Sequence, residues 1–532
     1  MKRMKFKFLG IATLLLALTM SSCLSELDQE PDNQNLLSDE AFFNNPASYR
    51  QFLAKLYAGL ATTGQQGPAG QADISGIDEG FSQYIRGYWN MQELTTDEAI
   101  IAWNDATIKD FHYHTWSSLD VFINATFSRL SFQIVNCNEF LRQTTDEKLD
   151  SRNVPADLRA EIQTYRAEAR WLRALSYWHL VDLFGGASLV TEDAPSTFFY
   201  PEYASRQELF DFVEQELIEV TPLLKAPGMN EKYRVDQAAA WMLLAKLYMN
   251  AEVYTGTPRY ADALPLVNNI VSSSYTLHDD YNELFLADND TNGAQNEFIF
   301  AVAFDGIYTK TFGGTTYLTH APVGGNMSPA EFGINGGWGG IRTTSAFVDL
   351  FETGTADQRA QFHTSGQTKE IVNVGNFNDG YAIKKYKNVD VNGNQGSDSS
   401  GDFVDIDFPM FRLADAYLMY AELAVRGFGN MGDAVTYVNQ LRERAYGSNS
   451  GNINSSALDL DFILDERARE LHWEAHRRTD LIRFGKFTGG AYLWPWKGNV
   501  ATGAPTPAYR NLFPIPSNAL VANPNLQQNP GY

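Results

Sequence analysis

Two similar blocks of sequence constrain the fold of this chain more than any other feature. They cover residues 239–270 and 411–441. In each block an Ala-rich stretch with helical periodicity carries an Ala-Glu pair, and a short turn containing Gly follows. A second periodic stretch then opens with ADA or GDA. Because small Ala side chains let neighbouring helices pack closely, the blocks predict stacked pairs of helices.

The pattern of these blocks is typical of a degenerate repeat of tetratricopeptide type. Another helix is predicted over residues 161–184, ended by Gly185 and Gly186. Six positions share one face of this helix: Tyr165, Ala169, Leu172, Ser176, His179 and Leu183. The predicted fold class is therefore mainly α, with a tetratricopeptide-like helical-repeat scaffold.

The sequence changes character between the helical blocks. Residues 64–116 and 288–405 are rich in Gly, Asn, Thr and aromatic residues, and only short runs such as 297–304 have strand character. Irregular segments on a rigid scaffold commonly carry binding residues, so we expect the ligand-binding residues in these two insertions. The proline-rich segment 513–532 is expected to lie along the scaffold as extended chain.

The N-terminus has the pattern of a bacterial lipoprotein signal peptide. Basic residues precede an apolar run that is short for a membrane span. Small residues then lead into Cys23, whose thiol is the expected lipidation site. We predict a signal peptide over residues 1–22, a flexible polar tether over 23–40 and a single domain over 41–532. Only Cys137 then remains, so no disulfide is expected.

Charge and motifs exclude several classes of function. A formal net charge of -23 argues against nucleic acid as a partner, because a phosphate backbone would be repelled. The sequence contains no nucleophile elbow of G-x-S-x-G type and no Walker-type phosphate loop. The paired carboxylates of a glycosidase need not be close in sequence, so that alternative stays open. No motif points positively to catalysis.

The stretch HWEAHRRTDLIRFG, residues 472–485, raises the question of a zinc protease. His472 and His476 are one helical turn apart, as zinc ligands would be. Glu474 follows His472 by two positions rather than one, however, and so points away from such a metal. We favour a buried structural helix. Four residues at helical spacings are expected to form ion pairs within it: Glu470, Glu474, Arg477 and Arg478.

The stretch DNDTNG, residues 288–293, has the alternating acidic pattern of the first half of a calcium-binding loop. The bidentate Glu of loop position twelve is replaced by Ile299, which excludes a complete EF-hand. One hypothesis is a structural calcium ion bound by Asp290 and by distant carboxylates such as Asp405 or Asp407. The alternative is a simple Asn/Asp turn.

Several longer stretches resemble the SusD/RagB family of surface glycan-binding lipoproteins of Bacteroidetes. The resemblance covers essentially the whole chain and rests on the lipoprotein start at Cys23 and on four stretches: 168–186, 408–422, 464–487 and 513–532. It implies a tetratricopeptide-type scaffold, no enzyme activity and no required cofactor. It also implies an outer-membrane surface location through the lipid anchor, and a SusC-like TonB-dependent transporter as the partner on which the lipoprotein forms a lid.

Within this family, the segments 64–80, 90–105, 250–263, 281–290 and 312–318 resemble starch-binding members. Such members present an arc of two tryptophans and a tyrosine beside an arginine and an asparagine. The resemblance places the tryptophans at Trp103 and Trp338 and the arginine at Arg86. The tyrosine position holds Phe312, which can stack but lacks the hydroxyl, and the asparagine position holds Ala106, which cannot hydrogen-bond through its side chain.

The resemblance therefore implies a non-catalytic glycan-binding protein, with a starch-like α-glucan favoured as ligand. The aromatic-rich composition is compatible with this function, because the apolar face of a pyranose packs on aromatic rings. The alternative is a peptide- or glycopeptide-binding lipoprotein of the same uptake type.

Overall fold

The protein is described from a computed structural model that covers residues 39–65, 67–69, 72–195, 197–352 and 354–532. Within these ranges, no helix has both the length and the apolar character needed to cross a bilayer. The predicted signal peptide, Cys23 and most of the predicted tether lie outside the described residues.

Helices account for most of the regular structure. In chain order the α-helices are α1 Asp39–Phe43, α2 Ala47–Ala61, α3 Tyr84–Glu93, α4 Asp110–Tyr113, α5 Val121–Gln143, α6 Asp146–Ser151, α7 Ala156–Leu183, α8 Arg206–Val220, α9 Gln237–Met249, α10 Ala251–Thr255, α11 Tyr260–Val271, α12 Gly314–His320, α13 Ser345–Val348, α14 Leu413–Val425, α15 Met431–Tyr446, α16 Leu460–Leu471, α17 Arg477–Arg483 and α18 Ser517–Ala522.

The long helices pack on their neighbours in the chain. Helix α7 packs between α5 and α8, and α11 packs between α9 and α14. The two repeated blocks form the pairs α9–α11 and α14–α15, which contact each other through α11 and α14. Side-chain caps fix where helices begin: Asp236, for example, accepts hydrogen bonds from the backbone of Ala238 and Ala239 at the start of α9. The predicted mainly α, tetratricopeptide-like fold class is confirmed.

Helix α7 matches the helix predicted over residues 161–184. It ends at Leu183, and Gly185 follows with a φ of 76°, a left-handed conformation that glycine adopts without strain. The C-terminal half of α7 is buried almost all round, because α5, α8 and the C-terminal segment cover its different faces.

The strands are short and antiparallel. They are β1 Ile100–Ile101, β2 Ala187–Ser188, β3 Tyr203–Ala204, β4 Phe298–Val302, β5 Ile341–Arg342, β6 Phe362–His363, β7 Ala382–Ile383 and β8 Phe408–Arg412. They form the pairs β1–β5, β2–β3, β4–β8 and β6–β7. Strand β4 confirms the strand predicted near residues 297–304, and its irregular register places Phe298 opposite Arg412 and Val302 opposite Phe408.

The C-terminal segment runs mainly as extended chain beside α7, as predicted, apart from the short helix α18. The backbone N–H of Phe513 donates to the carbonyl of Leu183 at 2.8 Å, and the side chain of Asn529 donates to the carbonyl of Phe184 at 2.8 Å. These bonds satisfy carbonyls at the end of α7 that the helix itself leaves free. One apolar core extends from Phe43 to Ile515.

The single helix predicted through residues 472–485 is wrong. Helix α16 ends at Leu471 and α17 begins at Arg477, and between them Trp473 and Ala475 have φ values of 62° and 66°. Two backbone N–H groups of this connection donate to buried carboxyl groups, one on the last residue of α3 and one just after that helix. That of Trp473 donates to Glu98 at 3.0 Å and that of His476 to Glu93 at 3.0 Å. These long-range hydrogen bonds replace the bonds of a continuous helix.

The ion pairs predicted within that helix are also wrong, because all four side chains reach other elements. Glu470 pairs with Arg412 at 2.6 Å, and Glu474 pairs with Lys385 at 2.7 Å. Arg477 pairs with Asp97 at 2.8 Å, and Arg478 with Asp182 at 3.1 Å. This stretch is therefore a buried polar junction between the scaffold and its insertions.

Candidate ligand-binding site

The end of α2 and the two insertions meet at Gln83, the residue that caps α3. The side-chain oxygen of Gln83 accepts from the backbone N–H of Arg86 at 2.7 Å and from that of Gly314 at 2.8 Å. Its side-chain nitrogen donates to the carbonyl of Leu60, at the end of α2, at 2.8 Å. One buried amide thus fixes α2, α3 and α12 relative to one another, and it sets the position of Arg86.

Arg86 lies on the floor of the candidate site, with only 8% of its surface exposed. Its guanidinium carbon is 4.3 Å from the ring centroid of Tyr317, and its Nη1 donates to the carbonyl of Phe312 at 3.3 Å. Burial lowers the pKa of Arg86, whereas Tyr317 and the nearby carboxylates Asp78, Glu79 and Asp105 raise it. Arginine nevertheless stays charged at neutral pH, so the floor provides a fixed cationic hydrogen-bond donor.

Trp103 follows strand β1 and is held by the segment that precedes β5. Its indole nitrogen donates to the backbone carbonyl of Trp338 at 3.0 Å. A Cβ atom on Gly340 would lie 2.3 Å from the indole, so only glycine permits this close approach. The ring centroid of Trp103 is 6.2 Å from that of Trp338, with an interplanar angle of 48°.

Trp338 stacks on His320, with ring centroids 4.8 Å apart and an interplanar angle of 23°. Nδ1 of His320 donates to the carbonyl of Gly336 at 2.6 Å, which fixes the imidazole against the tryptophan. Burial lowers the pKa of His320, so this support is a neutral ring at physiological pH.

Phe312 completes the group and is the most open of the three rings, with 43% of its surface exposed. Its centroid lies 6.4 Å from that of Trp338, and the two planes meet at 60°. Trp103, Trp338 and Phe312 are therefore successive rings with changing orientation. Together with Arg86 they form the aromatic arc, the name used below for these four residues.

The structure thus brings together all four residues that the resemblance assigned to ligand binding. Ala106 lies in the exposed turn after Trp103, where its φ is 41°. Three residues that hold the arc in place were not predicted from the sequence: Gln83, Tyr317 and His320. Their contacts join residues far apart in the chain, and no local pattern marks them.

The carboxylates of the calcium hypothesis have other partners in the structure. That of Asp407 accepts from the backbone N–H of Phe304 at 2.8 Å. Asp290 lies 3.2 Å from the Nζ of Lys232, and the carboxylate of Asp405 accepts a hydrogen bond from the backbone of Gly306 at 2.7 Å. Among the described residues, no group of three or more His, Cys, Asp or Glu side chains is arranged to bind a metal. The calcium site stays a prediction, which metal analysis of the purified protein would check.

Known proteins provide an independent comparison. Residues 357–532 match the model of the SusD family. The whole chain aligns with the whole of the starch-binding protein SusD of Bacteroides thetaiotaomicron, with 32% identity over 584 residues. The chain belongs to the SusD family.

Solved structures of SusD-like proteins share this fold. A SusD superfamily protein from Parabacteroides distasonis superposes with a TM-score of 0.69 at 24% identity, over 91% of this chain and 99% of that one. The surface glycan-binding protein A of Bacteroides thetaiotaomicron, solved with laminarihexaose, gives a TM-score of 0.68 at 20% identity, over 90% of this chain and 98% of that one. The helical scaffold with its loop-rich insertions is therefore the SusD-like fold.

Proposed function

We propose that this SusD-family protein is a non-catalytic, lipid-anchored protein of the outer-membrane surface that captures a starch-like α-glucan and delivers it to a SusC-like TonB-dependent transporter. The observation that carries the proposal is a group of three aromatic rings beside one buried arginine. Arg86 donates to the backbone carbonyl of Phe312, and its guanidinium lies on the ring of Tyr317, which Trp103 also contacts. The starch-binding name of the full-length relative supports the choice of glucan.

The chemistry of the aromatic arc suits a neutral sugar chain. The C–H face of a pyranose stacks on Trp103, Trp338 or Phe312, while its hydroxyls need a few fixed polar partners such as Arg86. The tilt of 48° and then 60° between successive rings suits a curved glucan better than a straight β-linked chain. An apolar hollow of about 320 Å³ lies elsewhere, between α2 and β4, but its largely apolar lining provides few partners for hydroxyl groups.

Binding to defined oligosaccharides tests the proposal. We expect wild-type protein to bind maltoheptaose and α-cyclodextrin in calorimetry, with cellohexaose as the straight-chain control and laminarihexaose as a second curved glucan. Loss of one stacked ring should cost about 1–3 kcal/mol, or roughly ten- to a hundredfold in affinity. The Trp103→Ala/Trp338→Ala variant should therefore show no measurable binding, while its circular dichroism still shows the folded helical protein.

Phe198→Ala is the matched control, because Phe198 is 84% exposed on a loop outside both insertions. It should bind like the wild type. Equal binding by the wild type and the double variant would overturn the assigned site. No binding of any α-glucan by the wild type would overturn the starch-like specificity.

A further inference from the structure

The line of aromatic rings does not end at Phe312. The ring centroid of Phe403 lies 5.4 Å from that of Phe312, with an interplanar angle of 39°. This separation is close to the 6.2 Å and 6.4 Å between the preceding rings of the aromatic arc. Phe403 is half-buried, so part of its ring faces solvent. The order along the surface is thus Trp103, Trp338, Phe312 and Phe403.

The loop 398–403 holds Phe403 in place. The buried carboxylate of Asp398 accepts from the backbone N–H groups of Ser400, Asp402 and Phe403 at 3.0 to 3.1 Å. Burial raises the pKa of Asp398, but these bonds and one from the Ser400 hydroxyl outweigh it and lower the pKa below its usual value. The carboxylate therefore stays ionised and fixes the loop near neutral pH.

The same loop is attached to the segment that carries Trp338. The backbone N–H of Asn335 donates to the carbonyl of Gly401 at 3.1 Å, and the side-chain nitrogen of Asn335 donates to Asp402 at 2.5 Å. Phe403 therefore belongs to the structural unit that positions the arc. A charged group lies beside the ring of Phe403: the Nζ of Lys310 is 5.6 Å from its centroid.

We propose that Phe403 is a fourth stacking ring, with Lys310 as a donor to sugar hydroxyls, and that it makes the site selective for glucan chains of four or more units. This inference rests on the proposed function. The physical reason is additive stacking: each further ring that a chain covers removes more apolar surface from water. A trisaccharide can be held by the first three rings alone and gains little from the fourth.

The test compares a short and a long ligand. Affinities for maltotriose and maltoheptaose are measured by calorimetry for the wild type, Phe403→Ala, Phe403→Tyr and the control Phe198→Ala. We expect Phe403→Ala to weaken maltoheptaose binding by about fivefold or more and maltotriose binding by less than about twofold. Phe403→Tyr keeps the ring and should keep the preference for the longer chain, as should Phe198→Ala.

The outcomes separate this inference from the proposed function. An equal loss for both ligands in Phe403→Ala would mean that Phe403 only supports Phe312, and would overturn the inference. A wild type that binds maltoheptaose no better than maltotriose would overturn it as well, with the proposed function intact. A wild type that binds neither ligand would overturn the proposed α-glucan function and the inference together.

Discussion

At the scale of single residues, Ala106 is the point where the site departs most from the starch-binding pattern. It is exposed, follows Trp103 by three positions and has a φ of 41°. Few side chains adopt this left-handed region easily, and asparagine is one that does. The backbone therefore suits the asparagine that the resemblance would place here better than the alanine present.

We predict that Ala106→Asn strengthens maltoheptaose binding by about two- to tenfold, because a new hydrogen bond contributes about 0.5–1.5 kcal/mol. Ala106→Gly is the matched control, since it relieves the same backbone strain without adding a hydrogen-bonding group. Calorimetry on the two variants distinguishes the effects. Equal affinities for the Asn and Gly variants would show that the added amide does not contact the sugar.

At the scale of elements, buried ions connect α16 to β8 and α15. Glu470 is fully buried and pairs with Arg412 at 2.6 Å, Arg444 at 2.5 Å and Arg359 at 3.2 Å. Burial alone would raise the pKa of Glu470, but the attraction of these three guanidinium groups lowers it to about 2. The carboxylate is therefore ionised throughout the physiological range and balances positive charge that has no access to water.

We predict that Glu470→Gln lowers the free energy of unfolding by about 3–5 kcal/mol, the usual cost of removing one member of a buried ion pair. The exposed Glu443, whose carboxylate accepts from Asn452 at 2.6 Å, gives the control Glu443→Gln, which should stay within about 0.5 kcal/mol of the wild type. Denaturant titration followed by tryptophan fluorescence measures both. A Glu470→Gln protein as stable as the control would refute the structural role of the junction.

For the molecule as a whole, we expect stability to depend on pH through the buried carboxyl group of Asp407. Burial raises the pKa of Asp407 to about 7, although the hydrogen bond from the backbone N–H of Phe304 opposes the shift. When folding raises the pKa of a carboxyl group, the folded state is stabilised by protonation of that group and destabilised by its ionisation. Ionisation of Asp407 therefore lowers the free energy of unfolding progressively as the pH rises from about 4 to about 7, and the loss reaches its full value above about pH 7.

We predict that Asp407→Asn becomes more stable relative to the wild type as the pH rises from 4 to 8, by at most about 4 kcal/mol. The asparagine cannot ionise, and its side-chain oxygen can still accept from the N–H of Phe304, a bond of 2.8 Å in the wild type. Unfolding titrations of both proteins at several pH values measure the difference. A difference independent of pH would show that Asp407 does not carry the raised pKa.

Attachment of the molecule to the membrane is predicted from the sequence through Cys23. We expect Cys23→Ala to be lost from the outer-membrane fraction, because lipidation of this thiol provides the proposed anchor. Retention of the variant in the membrane, shown by immunoblotting of fractionated cells, would contradict the lipoprotein assignment.

The wild type should co-purify in mild detergent with a TonB-dependent barrel protein.

The helical scaffold and the segments that carry the candidate site could be predicted from local patterns in the chain. Helical periodicity is local, so α7, α9, α11, α14 and α15 could be located from side-chain spacing. The four residues of the aromatic arc could be named only through the family resemblance, since no spacing connects Arg86 with Phe312. The resemblance identified these four residues, but the distances between their side chains are known only from the structure.

Three features depend instead on contacts between distant parts of the chain: the break at residues 472–476, the partners of the buried ions and the position of Phe403. Trp473 and His476 leave the helix because their backbone N–H groups bond to Glu98 and Glu93, more than three hundred positions earlier in the chain. Such bonds outweigh local helical preference, because a buried carboxylate left without donors is costly. Spacing along the chain shows which side chains can share a face, whereas packing determines which distant groups they meet.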